Sequence, residues 1–259
     1  MITVKQLMQI GQKAAIEAGK AIMEVYDSSE FSTEIKNNNS PVTKADKNAH
    51  HIITEYLKET HLPVLSEEGS EINFLERRLW EYFWLIDPLD GTKEFINKNG
   101  EFTVNIALVK RNKPLGGIIY RPSKGTLYTG SKETGIYKIE NNKQAQISPL
   151  TKRKTFDEFL QKDHVRIVAS RSHPSPEIKS FTDKFKKVTL LTMGSSLKFM
   201  LLLENEADIY PRFGTTMEWD TAAAHAILNA SNLGVYETEL RSELIYNKPD
   251  LRNPFFIAF

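Results

Sequence analysis

The stretch Trp84-Leu85-Ile86-Asp87-Pro88-Leu89-Asp90-Gly91-Thr92 runs an apolar segment into two aspartates three apart and closes on Gly-Thr. Hard divalent cations take carboxylate and carbonyl oxygens. Asp87 and Asp90 on one tight turn could converge on a metal pair. Pro88 fixes φ and stiffens that turn, and the Leu89 carbonyl between the aspartates offers a further ligand. Gly91 and Thr92 then open a short helix, whose free N–H groups favour a phosphate. The same residues suit an ordinary strand-to-helix turn equally well, with Asp90 as a cap, because Asp-Pro and Asp-Gly are common turn dipeptides. Other acids weigh on that choice. Leu65-Ser66-Glu67-Glu68-Gly69 puts Glu67 just past another short apolar run, and Glu218-Trp219-Asp220 puts Asp220 at the start of an Ala-rich helix. Thr43-x-x-Asp46 is a fourth place, although it also reads as a capping-box pattern. A solvated Glu pair or an N-cap explains each one singly. The coincidence of several such acids in a near-neutral chain is harder to dismiss.

The surrounding elements must bring these residues together. Val4, Leu7, Met8, Ala14, Ala15, Ala18, Ile22 and Val25 recur with a 3.6-residue period and predict an amphipathic helix. A loop is expected over residues 37–41. Thr43 is expected to cap a second helix burying Ala49, Ile52, Ile53, Tyr56 and Leu57. Residues 64–65 and 82–86 read as buried strands. Residues 102–109 alternate as a half-buried strand should, and form a hairpin with 115–120. Further strands are expected at 127–128 and 136–137. The polar stretch 141–159 reads as inter-domain, dividing the chain into an N-terminal α+β domain (1–145) and a C-terminal α/β domain (146–259). In the latter, strands at 165–169, 188–191 and 207–210 alternate with helices at 176–187, 195–205 and 219–230. Two layered sheets with helices between and around them leave a ligand cleft at the junction. Trp80, Tyr82, Phe83 and Trp84 are expected to pack the core beside the acidic turn.

Composition narrows the function. The chain has 259 residues, 40% of them hydrophobic, with 34 Lys plus Arg against 33 Asp plus Glu. That balance gives no case for binding a nucleic-acid polymer or for a polybasic membrane anchor. The absence of cysteine excludes a thiol nucleophile, thiolate metal sites and disulfides, and suits a reducing cytoplasm. No secretory signal and no transmembrane segment are expected.

Leu65-Ser66-Glu67-Glu68, Asp87-Pro88-Leu89-Asp90-Gly91-Thr92 and Trp219-Asp220, in this order, resemble three signatures of the inositol-monophosphatase-like, lithium-sensitive metal phosphatases. The likeness covers nearly the whole chain. Within that family, Lys93-Glu94-Phe95, residues 99–107, Ser170-Arg171-Ser172-His173, Gly194-Ser195-Ser196-Leu197-Lys198-Phe199 and Tyr210-Pro211-Arg212-Phe213-Gly214 are similar to the bacterial 3'(2'),5'-bisphosphate nucleotidase branch. The resemblance implies a layered αβαβα sandwich of α+β class. It implies two Mg2+ ions, with room for a weaker third. Glu67, Asp87 and the Leu89 carbonyl would hold the first, and Asp87, Asp90 and Asp220 the second. Asp46 and Thr92 would orient or deprotonate the attacking water, with Glu67 beside them among the catalytic groups. Gly91 and Thr92 would donate N–H groups to the scissile phosphate, while His173, Ser195, Lys198 and Arg212 would contact the nucleotide and its retained phosphate.

On this resemblance the substrate is a small nucleotide bisphosphate, adenosine 3',5'-bisphosphate, which gives AMP; the sulfated form is a second substrate, and lithium inhibits. The rivals are an inositol monophosphatase or broad sugar phosphatase of the same family and, from another class, an inactive nucleotide- or metal-sensing module. An aspartyl-phosphate mechanism is disfavoured, because its Asp-x-Asp spacing near the N-terminus is absent. The resemblance further suggests a monomer or weak homodimer in the cytoplasm, with a peripheral place on the inner face of the membrane left open.

Overall fold

The computed structural model describes residues 2–28, 33–35, 41–172 and 175–259. Its spine is a seven-stranded sheet in the order β3 (Val64–Ser66), β4 (Tyr82–Asp90), β5 (Thr103–Lys110), β6 (Lys113–Arg121), β7 (Thr126–Ser131), β8 (Gly135–Glu140) and β9 (Lys143–Ile147). β3 runs parallel to β4, and every other neighbouring pair is antiparallel. One face carries α1 (Val4–Asp27) and α2 (Lys44–Lys58). α1 starts with a reciprocal cap, in which the Thr3 side chain accepts from Gln6 N–H and the Gln6 side chain accepts from Thr3 N–H. A short antiparallel pair, β1 (Thr33–Ile35) and β2 (Pro41–Thr43), lies between these helices in the chain. Of the loop expected at 37–41, residues 37–40 fall outside the described residues and Pro41 opens β2. The other face carries α8 (Glu218–Ala230), which is buried on nearly all sides, as a helix in a central layer must be.

Alternation along the strands sorts the side chains between these two cores. Trp84, Ile86, Val104, Ile106, Leu108 and Ile118 pack with α1 and α2. Phe83, Leu85, Ala107, Val109 and Ile119 pack with Ala222, Ala223 and Ile227 of α8. The expected half-buried strand at 102–109 is therefore buried on both faces, because its alternation separates two cores rather than core from solvent. Phe83 and Trp84 are fully buried, and the Trp84 indole donates to Thr60 Oγ1 at 3.0 Å. Gly116 and Gly117 of β6 lie against the helices on either face, and Gly117 marks the tightest approach. A Cβ at Gly116 would lie 2.5 Å from Met8 Sδ, and one at Gly117 1.9 Å from the Ala223 carbonyl oxygen.

A second sheet lies beyond α8 and α7 (Leu197–Leu203). It comprises the parallel pair β10 (Val165–Ser170) and β11 (Val188–Met193), and the antiparallel set β12 (Tyr210–Arg212), β14 (Phe256–Ala258) and β13 (Val235–Glu237). A parallel bridge between Ile167 and Ile209 joins the two. Its outer face packs Phe159 of α5 (Phe156–Leu160) and Phe181 of α6 (Glu177–Thr182) against Val165, Ile257 and Phe259. Helix, sheet, helix, sheet and helix thus form five layers, the αβαβα sandwich. The polar stretch at 141–159 contains β9, an edge strand that the sequence pattern does not reveal because all of it but Ile147, which packs on the core, is exposed. β13 and β14 are three residues each, too short for a legible period. Among the described residues no helix is long and apolar enough to cross a membrane.

A clamp within the second sheet gives a pH-dependent prediction. Burial would raise Asp208, but hydrogen bonds from Arg166 and Lys162 outweigh it and hold the carboxyl at about 2. A depressed folded pKa stabilises fully above the unfolded value and is lost as pH falls through the folded one. Asp208→Asn should therefore cost about 1–3 kcal/mol in urea unfolding at neutral pH. The deficit should fade as pH falls from about 4 to about 2. A deficit constant across that window would contradict the assignment.

Candidate active site at the carboxylate cluster

Asp87 continues the face of β4 that looks toward α8, which is why it meets an acid from the far end of the chain. Asp87 pairs with Asn105 and Asp90 with Thr103, so β4 holds one residue more than β5 between these pairs. This bulge re-aims the end of the strand. Leu89 N–H donates to Asp87 Oδ1 at 3.1 Å, and Thr92 Oγ1 donates to the Leu89 carbonyl at 3.4 Å. Gly91 has φ of +89°, a left-handed conformation that glycine adopts without strain, and it leads into α4 (Thr92–Ile96). Glu67 follows β3, its N–H donating to the Ile86 carbonyl at 3.2 Å. Asp220 sits in the first turn of α8, where its Oδ2 accepts from Met217 N–H at 2.8 Å.

Glu67, Asp87 and Asp220 each present an oxygen within 4.8 Å of the others. Burial, followed by the charges of Glu67, Asp90, Asp220 and Asp46, pushes the Asp87 carboxyl well above the usual carboxylate range. Burial, followed by Asp90 and Glu67, does the same to Asp220. Asp87 Oδ2 is buried without a hydrogen-bond partner among the described residues. An orphaned buried carboxylate oxygen beside two further carboxylates is costly unless a cation meets it. The oxygen-only donor set suits a hard divalent ion, so the residues present fit a metal.

A cleft of about 840 Å³ opens on this cluster. Its wall includes Glu67, Asp87, Leu89, Asp90, Gly91, Thr92 and Asp220, and also Ser195, Lys198 and Arg212. The structure thus brings together all of these sequence candidates. Asp46 stands in the first turn of α2, buried, close enough for its charge to act on Asp87. His173 lies outside the described residues. Lys198 is almost fully buried, and burial pulls its ammonium down to about 8 against the attraction of Asp90. Its Nζ donates to the Ser195 carbonyl, and Arg212 Nε is buried without a hydrogen-bond partner among the described residues. Two cations therefore face the acids across the cleft.

The candidates missed by sequence reasoning are Glu94, Thr103 and Asn105. Glu94 lines the cleft, buried, and accepts from Ser172 Oγ. Thr103 and Asn105 are fully buried polar residues at the start of an otherwise apolar strand, and that interruption was the available signal.

The chain is 42% identical over 229 residues to the 3'(2'),5'-bisphosphate nucleotidase CysQ of Escherichia coli (strain K12), covering 86% of this chain and 87% of that protein. It is 40% identical over 253 residues to the protein of the same name from Salmonella typhimurium, covering 96% and 98%. The crystal structure of CysQ from Bacteroides thetaiotaomicron, a bacterial member of the inositol monophosphatase family, superposes with a TM-score of 0.84 at 41% identity, covering 100% of this chain and 98% of that one. The inositol monophosphatase of Anabaena shares the fold, with a TM-score of 0.70 at 23% identity and coverage of 98% and 90%. The family profile described as the inositol monophosphatase family matches residues 3–251. With that profile over nearly the whole chain and relatives at 40–42% identity, the chain belongs to the inositol monophosphatase family.

Proposed function

We propose that the protein is a Mg2+-dependent phosphatase that removes the 3'-phosphate of adenosine 3',5'-bisphosphate, leaving AMP and phosphate, and that it also accepts the sulfated form of that nucleotide. The observation that carries the reading is the convergence of Glu67, Asp87 and Asp220 around an orphaned oxygen, across one cleft from Lys198 and Arg212. Relatives at about 40% identity that bear the nucleotidase name support the substrate.

Glu67, Asp87 and the Leu89 carbonyl would hold one Mg2+ and Asp87, Asp90 and Asp220 a second; a third, weaker ion belongs to the same reading. Bound Mg2+ supplies Lewis acidity toward phosphoryl oxygens and makes a water easier to deprotonate at neutral pH. Asp46 and Thr92 would orient the attacking water, and the Asp46 carboxylate would take up its proton, beside Glu67. The N–H groups of Gly91 and Thr92 hold the transferred phosphate. Lys198 and Arg212 hold the phosphate that stays, with Arg212 offering a planar fork. Ser195 and His173 complete the nucleotide contacts. The cytoplasmic placement belongs to the same proposal, since reducing surroundings suit a chain without cysteine. The fold adds no support for a peripheral membrane location.

Phosphate release from adenosine 3',5'-bisphosphate, inositol phosphate, a sugar bisphosphate and AMP, with Mg2+ and with added Li+, tests the reading. The adenosine bisphosphate should lead, and Li+ should inhibit. Faster release from inositol phosphate would favour the inositol monophosphatase alternative, and no release from any substrate would favour a sensing module.

The two cations give a sharper prediction. Lys198→Met and Arg212→Met should each raise KM for the adenosine bisphosphate about 10–100-fold, the loss of a charged hydrogen bond. Simple monophosphate turnover should change far less. Equal losses on both substrates would contradict the assignment.

A further inference from the structure

Thr103 and Asn105 share the face of β5 that looks toward α8, and neither reaches the cleft wall. Their neighbours are Asp90 and the Gly194–Ser196 turn that leads into α7. Asp90 Oδ2 accepts from Ser195 Oγ at 2.7 Å, Ser196 N–H at 2.7 Å and Asn105 Nδ2 at 3.3 Å. Ser196 Oγ donates to Asn105 Oδ1 at 2.8 Å. Thr103 Oγ1 lies 2.5 Å from Ser195 Oγ and 2.8 Å from Ser196 Oγ.

Counting protons gives this network a direction. The one proton of Ser195 is committed to Asp90, so at the short Thr103–Ser195 contact Thr103 is the donor, and it shares that proton with Asn105 Oδ1 at 3.1 Å. The proton of Ser196 is committed to the Asn105 carbonyl, which turns the Asn105 amide so that its NH2 faces Asp90. Thr103 through Ser195, and Ser196 through Asn105, both send their polarity to the same carboxylate oxygen. Chains that converge on one carboxylate oxygen reinforce one another. Among the described residues all three donors to Asp90 act on Oδ2, so Oδ1 is the oxygen left for the cleft.

We propose that Thr103 and Asn105 are positioning residues, which with Ser196 lock Asp90 so that Oδ1 is reserved for the cation and the turn bearing Ser195 and Lys198 is fastened to the metal turn. This deepens the proposed function and rests on its reading of Asp90 as a ligand. The geometry has a further consequence. Because one carboxylate fastens both turns, metal affinity and affinity for the bisphosphate are coupled, and coupling of binding is reciprocal.

Thr103→Val removes the hydroxyl at constant shape, Thr103→Ser keeps it, and Ser196→Ala removes the link to Asn105. The readout is direct Mn2+ binding, followed by the free Mn2+ electron-paramagnetic-resonance signal, on protein without substrate. Thr103→Val and Ser196→Ala should weaken Mn2+ binding by about 10-fold or more, the scale typical of groups that orient metal ligands. Thr103→Ser should stay near wild type. KM for the adenosine bisphosphate, measured at saturating metal, should rise in step. Wild-type affinity in Thr103→Val would overturn the inference, and so would equal weakening by Thr103→Val and Thr103→Ser. If Thr103→Val does not fold, Ser196→Ala decides: weakened binding supports the inference and unchanged binding overturns it. Failure of the wild-type protein itself to bind Mn2+ would instead strike the metal reading, and this inference with it.

Discussion

Asp87→Asn should abolish Mg2+-dependent phosphate release, by at least about 10³-fold, because the one carboxylate assigned to both cations is the group least replaceable in a paired-metal site. The same substitution should not harm the metal-free fold. Asp87 is buried among Glu67, Asp90, Asp220 and Asp46, with one oxygen unpartnered among the described residues. A neutral amide of the same shape removes part of that repulsion. In chelator the variant should therefore melt no lower than wild type, and each kcal/mol of relief is worth about 2–4 °C in a chain of this size. Adding Mg2+ should raise the wild-type melting temperature, since a ligand that binds only the folded state stabilises it, and should leave the variant's nearly unmoved. A variant less stable than wild type in chelator, yet still stabilised by Mg2+, would contradict this reading of Asp87.

The second large effect is architectural. Gly117→Ala should destabilise the protein by about 3 kcal/mol or more in urea unfolding, at the upper end of what overpacking costs. The added methyl would lie 1.9 Å from the Ala223 carbonyl oxygen. Backbone cannot swing aside as the end of a side chain can, so α8 itself must lift from β6. Ala223 follows Asp220 by three residues on that helix, and lifting it carries Asp220 away from Asp87. Apparent Mg2+ affinity should fall with stability, although the substitution touches no candidate ligand. Wild-type stability and Mg2+ affinity in Gly117→Ala would show that the helix–sheet contact does not set the site.

Why some of this was legible in sequence and some was not follows from the range over which each feature is encoded. Asp87, Leu89, Asp90, Gly91 and Thr92 share one turn, and the change from an apolar run to acids marks it locally. Glu67 and Asp220 were suggested by their place at element ends, but their meeting with Asp87 depends on which face of β4 looks toward α8. Strands 82–86 and 165–169 could be read because they bury apolar runs. β9 could not, since an exposed edge strand leaves no hydrophobic trace. Thr103 and Asn105 escaped because their role depends on a turn some ninety residues away. The assignments of Lys198 and Arg212 rested on resemblance. The structure places both at the cleft, and burial rather than spacing is what marks Lys198 out.

The central claim is that carboxylates from β3, β4 and α8 gather to hold divalent cations. Crystals soaked in Mn2+ and measured at the manganese absorption edge test it most directly. The account predicts anomalous peaks between the Glu67, Asp87 and Asp220 carboxylates and beside Asp90. Those carboxylates ordered as here with no peak among them, or peaks only elsewhere on the molecule, would contradict it.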